Sequence, residues 1–249
     1  MNAESFKFRR SWTAATVAGV KRRFDPAQPE LMDRPQPVSV ELERDLRNLC
    51  QLNRFFGSHR LIRKFLKRWI KPGAQLRIVD LATGFGDIPR LTIDYARSIG
   101  AHVTIEAIDQ NPATLEIARR FSAGYPEISF IQGNILEWTV SEPYDLVLNS
   151  LALHHFSAED AIRLLRHCRE LSRQFVLVSD LRRGYLASVG VYLLTATFFR
   201  EPMTRIDGRL SAARAFSFAE FRSLADRAGW KDFGHRRFRF ARQAVWIEP

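Results

Sequence analysis

Between Leu76 and Asp180 the chain repeats one rhythm: a short apolar run, a turn, and then a stretch with helical spacing. Strands are predicted at "LRIVDL" (76–81), "VTIEAID" (103–109), "ISFIQ" (128–132), "YDLVLNS" (144–150) and "FVLVSD" (175–180). Helices are predicted over about 88–99 and 113–121, and again from Ser157, where "SAED" sets a carboxylate three residues after a serine cap. Strands separated by helices cannot pair as tight hairpins. The pattern therefore demands a parallel sheet with helices on both faces, an α/β doubly wound fold.

After Asp180 the rhythm breaks. Residues 181–216 intervene before "SFAEFRSLADRAGW", whose Ser217 and Glu220 form a capping box and whose helix should stop at Gly229. The closing runs "FGHRRFRF" and "QAVWIE" are so near each other that they must form an antiparallel hairpin. Upstream, "DPAQPELMDRPQPVS" holds four prolines between Asp25 and Ser39, which marks a connector or covering flap. Helical spacing then runs from Val40 to Ile70: Leu42, Leu46, Leu49 and Phe56, and after Gly57 a second set, Leu61, Ile62, Phe65, Leu66 and Trp69. The opposite side of that second set is Arg60, Arg63, Lys64, Lys67, Arg68 and Lys71. The chain thus divides into an N-terminal flap and helical extension over 1–57 and an α/β domain over 58–249, with 181–216 as an insertion.

The net charge of +11 is uneven, since residues 1–72 hold 16 Lys and Arg against 7 Asp and Glu. Such a surplus suits an anionic partner, but on a helix packed against a sheet it is more often a solvated face. Cys50 and Cys168 lie far apart with no CxxC and no histidine at metal spacing, so neither a disulfide framework nor a zinc site is expected. The first residues lack the unbroken apolar core of a leader, and "YLASVGVYLLTATFF" (185–199) is too short to cross a bilayer as a helix. A soluble, cytoplasmic protein is the expectation.

The turn after the first strand, "VDLATGFGDIP" (79–89), narrows the cofactor. Aligned on Gly84 and Gly86, a G-x-G-x-x-G dinucleotide fingerprint would need glycine where Pro89 stands, and no Gly-Lys-Ser/Thr phosphate loop follows. Small residues at Ala82, Gly84 and Gly86 instead let backbone approach a ligand without phosphates. Here the chain resembles the class I S-adenosylmethionine-dependent methyltransferases, whose first motif is an acid ending strand one followed by alternating small residues, Asp80-Leu-Ala82-Thr-Gly84-Phe-Gly86 in this chain. Glycine is usual where Ala82 stands; alanine suffices there if the position avoids positive φ. "IEAIDQNP" supplies the acid at the end of strand two, Asp109, and "FIQGNIL" the polar residue with an apolar neighbour, Asn134 and Ile135.

That resemblance covers about residues 60–249. It implies a Rossmann-like seven-stranded sheet with an antiparallel final hairpin. It also implies S-adenosyl-L-methionine as cofactor and S-adenosyl-L-homocysteine as product, held by Asp80, Ala82, Gly84, Gly86, Asp109, Gln110, Asn134, Ile135 and Asn149, with the ribose hydroxyls on Asp109. A sulfonium methyl is already electrophilic, so the protein must exclude water, align a nucleophile and, for a hydroxyl, remove a proton. His154 and His155 in "LALHHF" are the candidate catalytic bases, and one of two such neighbours should point away. No metal is expected, because only Asn149 and Asp180 stand at the ends of strands four and five.

The Asn/Asp-Pro-Pro-aromatic motif of enzymes that methylate amines and amides is missing, since 149–152 read "NSLA". "LxLHHF" resembles small-molecule methyltransferases of quinone and polyketide metabolism. "PELMD", "HHF" and "DGRLSAARAF" together resemble bacterial methyltransferases found with type III polyketide synthases, which implies a phenolic acceptor and favours O- over C-methylation. Tyr192 and Phe199 would wall its pocket, and Arg205 and Arg209 would anchor an acidic oxygen. Two rivals stand beside this reading: an RNA methyltransferase using the basic N-terminal third, and an accessory protein that binds the cofactor without turnover. Nucleic acid is the less favoured partner; peripheral membrane contact and oligomeric state stay open.

Overall fold

Ile78 and Val79 are neighbours in sequence, both fully buried, and they enter different cores, as the two-residue period of a strand requires. A computed structural model describes residues 21–184 and 202–249. Its strands are β1 (Gln75–Leu81), β2 (His102–Asp109), β3 (Ile128–Gln132), β4 (Tyr144–Ser150), β5 (Ser172–Leu181), β6 (Gly234–Phe238) and β7 (Arg242–Ile247). They form one seven-stranded sheet in the order β3-β2-β1-β4-β5-β7-β6. The first five are parallel, and β7 runs antiparallel to both β5 and β6. The predicted doubly wound sheet and reversed final pair are therefore what the chain forms; β5 begins earlier than expected, at Ser172.

Helices cover both faces. On one, α2 (Ser58–Trp69) and α3 (Asp87–Ser98) pack on Ile78, Ile105, Leu146, Leu148 and Leu177. On the other, α5 (Ala158–Glu170) and α7 (Phe218–Arg227) pack on Val79, Val147, Val176, Val178 and Val245. Polar caps fix where helices start: the Ser157 side chain accepts from Asp160 N–H, and Ser217 and Glu220 form the reciprocal box predicted for α7. The basic residues of α2 are exposed while Leu61, Ile62, Phe65, Leu66 and Trp69 are buried, the arrangement of a solvated face.

A third cluster joins α1 (Val40–Phe55) to α4 (Pro112–Phe121) through Leu42, Leu46, Ala113 and Ile117, with Phe85 from the turn after β1 among them. Residues 21–39 form a strap tied to α6 (Pro202–Arg214). Leu31 N–H and Met32 N–H donate to Asp207 at 2.8 and 3.0 Å, and Arg23 N–H donates to Ala213 O. Asn48 of α1 and Thr204 of α6 are also hydrogen-bonded, so strap, α1 and α6 hold one another. Among the described residues no helix is long and apolar enough to cross a membrane; the apolar run 185–199 lies outside them.

Candidate active site

The carboxyl edge of β1 and β2 is clamped by one side chain. Asp109, at the end of β2, accepts from Gly84 N–H at 2.8 Å and from Asn111 N–H at 2.9 Å, locking the turn after β1 against the next strand. Asp80 is 2% exposed and accepts from the Thr83 hydroxyl at 2.6 Å. Burial pushes its carboxyl up to about 8, with the Thr83 hydrogen bond opposing and the charges of Asp87 and Asp109 adding to the rise. Asp87 accepts from His59 Nε2 at 2.6 Å and from Asn53 at 3.2 Å.

Three expectations about this turn change in the structure. Ala82 does adopt positive φ, at 59°, so the condition under which alanine would match glycine is not met, and the turn stores roughly 1 kcal/mol of backbone strain. Gly86 (φ 72°) does not line the cavity. A Cβ there would lie 2.8 Å from the Phe130 ring, so its missing side chain serves close packing, whereas at Gly84 an added Cβ would meet nothing within 4 Å. Asn149 is fully buried beneath the turn, donating to Leu81 O at 2.9 Å, and it too is away from the cavity. Asp80, Ala82, Gly84, Asp109, Gln110, Asn134 and Ile135 all line it.

The neighbouring edge carries a second strained residue, Leu151 (φ 59°), and then the turn Leu153–His155. His154 is 2% exposed; its backbone N–H donates to Asp180 at 2.8 Å and its Nδ1 to the same carboxylate at 2.7 Å. His155 Nδ1 donates to Asp33 of the strap at 2.7 Å. Contrary to expectation, neither ring points away. Their centroids are 4.3 Å apart, and both Nε2 atoms face the buried Glu30, His154 to one oxygen at 3.7 Å and His155 to the other at 3.9 Å. The tight turn makes this convergence: it brings successive side chains to one side of the chain, and the strap meets them there. Glu30 also accepts from the Ser211 hydroxyl at 2.8 Å. The Arg22 guanidinium donates to His154 O and Phe156 O at 3.2 and 2.7 Å, fastening the strap to the histidine turn.

Burial would lower the pKa of His155, but Glu30, then Asp33 and Asp180, outweigh it and raise the ring to about 10. As arranged, that histidine holds a proton at neutral pH and is not an open base.

These two edges border one cavity of about 1300 Å³. Sites for a single small molecule occupy roughly 300–1,000 Å³, so a cofactor and an acceptor can sit here together. Its lining from residues 80–88 and 109–110 contains the carboxyls Asp80, Asp87 and Asp109 and no Lys or Arg, a charge pattern that repels phosphate and suits a cation. Phe24, Pro29, Leu46, Leu49, Leu52 and Phe56 give it apolar wall. The predicted anchors Arg205 and Arg209 do not line it; Arg214, farther along the same helix, does. Tyr192 and Phe199 lie outside the described residues. Glu30 and Asp33 went unrecognised in sequence, because no spacing rule links "PELMD" to "HHF" more than a hundred residues away. Among the described residues two groups have ligand atoms close enough to hold a metal, Glu30 with His154 and His155, and Cys50 with His59 and Asp87.

The strand order and reversed hairpin are those of the class I methyltransferase fold. Residues 78–174, from β1 into β5, match the family described as "Methyltransferase domain", so this stretch is a methyltransferase domain. The 2-phytyl-1,4-naphtoquinone methyltransferase of Thermosynechococcus vestitus is 33% identical over 81 residues, which is 32% of this chain and 35% of that protein. The chain thus aligns with about a third of the curated relative's length. Among solved structures, the plantazolicin methyltransferase BpumL in complex with SAH has a TM-score of 0.62 at 12% identity, over 84% of this chain and 91% of that one. Magnesium protoporphyrin IX methyltransferase from Synechocystis, also with SAH, has a TM-score of 0.54 at 17% identity, over 88% and 91%.

Proposed function

We propose that this protein is an S-adenosylmethionine-dependent methyltransferase that methylates a small, apolar, aromatic or polyketide-derived acceptor, preferentially on oxygen, in the cytoplasm. The observation that carries this reading is the single cavity joining the acid-rimmed turn after β1 to the His154–His155 turn, with room for two ligands. The relatives' quinone and porphyrin substrates agree with a small acceptor.

The residues at the first end fit the cofactor. Each Asp109 oxygen accepts one backbone N–H and keeps a lone pair for the ribose hydroxyls. Gly84 leaves open space for close approach, and Asn134 and Ile135, which also line the cavity, would hold the adenine. Asp80 and its neighbours suit the positive sulfonium and ammonium groups. The cofactor brings the electrophilic methyl group, and the chain's own residues align and deprotonate the nucleophile. The acceptor's oxygen would approach the carboxylate of Glu30 between the two Nε2 atoms, and that carboxylate, rather than the already protonated His155, would take up its proton. Strap, α1 and α6 exclude water over that end, and Arg214 faces the acceptor.

The test is incubation of the full chain with S-adenosylmethionine and a panel of alkyl- and hydroxy-substituted phenols and quinols, reading S-adenosylhomocysteine and the methylated product by mass spectrometry. Methyl ether formation on a phenol is expected. Methylated RNA with no methylated small molecule would replace this reading by the RNA one, and cofactor binding without any product would leave an accessory protein.

A further inference from the structure

The charges that meet at the acceptor end go beyond what holding an acceptor requires. In a neutral imidazole whose Nδ1–H is held by a carboxylate, the lone pair is at Nε2, the nitrogen left to bind a cation. Asp180 and Asp33 do this to His154 and His155 respectively, both at 2.7 Å. The two Nε2 atoms then face the two oxygens of one buried carboxylate at 3.7 and 3.9 Å, beyond the 2.7–3.2 Å of a hydrogen bond. A buried carboxylate facing two imidazoles calls for positive charge beside it, and a cation that takes the place of the ring proton on His155 supplies that charge and binds both nitrogens. One ligand atom from each of the three residues lies within 4.8 Å of the other two. Around a tetrahedral Zn²⁺ with bonds of about 2.0–2.1 Å, ligand atoms stand roughly 3.3–3.5 Å apart, shorter than the 3.7 and 3.9 Å between the rings and Glu30, so the three residues would draw in around the ion.

We propose that Glu30, His154 and His155 bind one divalent first-row transition cation, of which Zn²⁺ is the type, with the open coordination position toward the acceptor cavity. Two histidines and one carboxylate with a free position make the donor set of a catalytic rather than a structural metal site. The outer contacts are those such sites use. Each histidine donates its other nitrogen to a carboxylate, and the carboxylate ligand is itself held by the Ser211 hydroxyl. All three ligands line the cavity, so the open position receives the oxygen of the acceptor; that consequence rests on the function proposed above, while the metal site itself does not. The second cluster, Cys50 with His59 and Asp87, lacks this character, because His59 Nε2 is already hydrogen-bonded to Asp87 at 2.6 Å.

The experiment is metal titration of the full chain after chelator treatment and dialysis, with Zn²⁺ followed by calorimetry and Co²⁺ by its visible d–d absorption. One equivalent per chain is expected, with the absorption of a low-coordinate nitrogen and oxygen site. Glu30→Gln should weaken binding at least tenfold and abolish that absorption. Asp33→Asn, at the half-exposed outer contact, should weaken it about 10–100-fold while circular dichroism shows the fold retained. Absence of stoichiometric uptake by the unmutated protein, or equal uptake by both variants, overturns the assignment. Neither readout depends on methyl transfer, so an inactive protein that binds Co²⁺ in this way fails the functional reading alone.

Discussion

At one end of the cavity, Asp80, Gly84 and Asp109 come from a continuous stretch of strand, turn, helix and strand; at the other, Glu30 and Asp33, His154, Asp180 and Ser211 come from four separate segments. The first end is local, and its hydrogen bonds close a turn. The second is a long-range assembly in which the strap crosses the histidine turn and α6 holds the strap. A site of the first kind can be kept while the chain around it varies. One of the second kind changes whenever the strap or α6 changes.

If that contrast is right, the acceptor end bears on stability as well as chemistry. Asp180 is 1% exposed and holds both the backbone and the ring of His154. Asp180→Ala should lower the unfolding free energy by about 3–5 kcal/mol in urea titrations, because it leaves buried donors without a partner. A loss below about 1 kcal/mol would break the comparison. Asp109→Ala should weaken S-adenosylhomocysteine binding by about 1–3 kcal/mol in calorimetry. An unchanged Kd would remove Asp109 from the cofactor site.

A pH series sharpens the description of the cofactor end. The folded carboxyl of Asp80 titrates near 8, above its ordinary 3.8. The stability it contributes is therefore fully present below about pH 4 and lost as pH rises through 8. The stability of the unmutated protein relative to Asp80→Asn should fall across that window, and a cationic ligand should release protons on binding, seen as a buffer-dependent heat at pH 7. Flat relative stability would mean that the carboxyl is already ionised. The smallest effect concerns Ala82: with φ at 59°, Ala82→Gly should relieve strain and raise stability by about 1 kcal/mol, offset in part by glycine's greater freedom when unfolded. A decrease in thermal midpoint would show that the turn depends on the alanine methyl.

Much of this molecule was legible before any coordinate. Alternation of apolar strands and capped helices specified the sheet, because strand period and helix caps act over a few residues, and the family resemblance carried by Asp80, Gly84 and Asp109 pointed to the local end of the cavity. Tertiary structure decided what depends on where distant segments come to rest. It turned Asn149 and Gly86 inward to packing, gave Ala82 a left-handed backbone, kept Arg205 and Arg209 off the cavity, and brought both histidines onto Glu30. The physical reason is the same in each case: a side chain's partners are set by long-range packing, and no periodicity along the chain records which carboxylate will cross which turn.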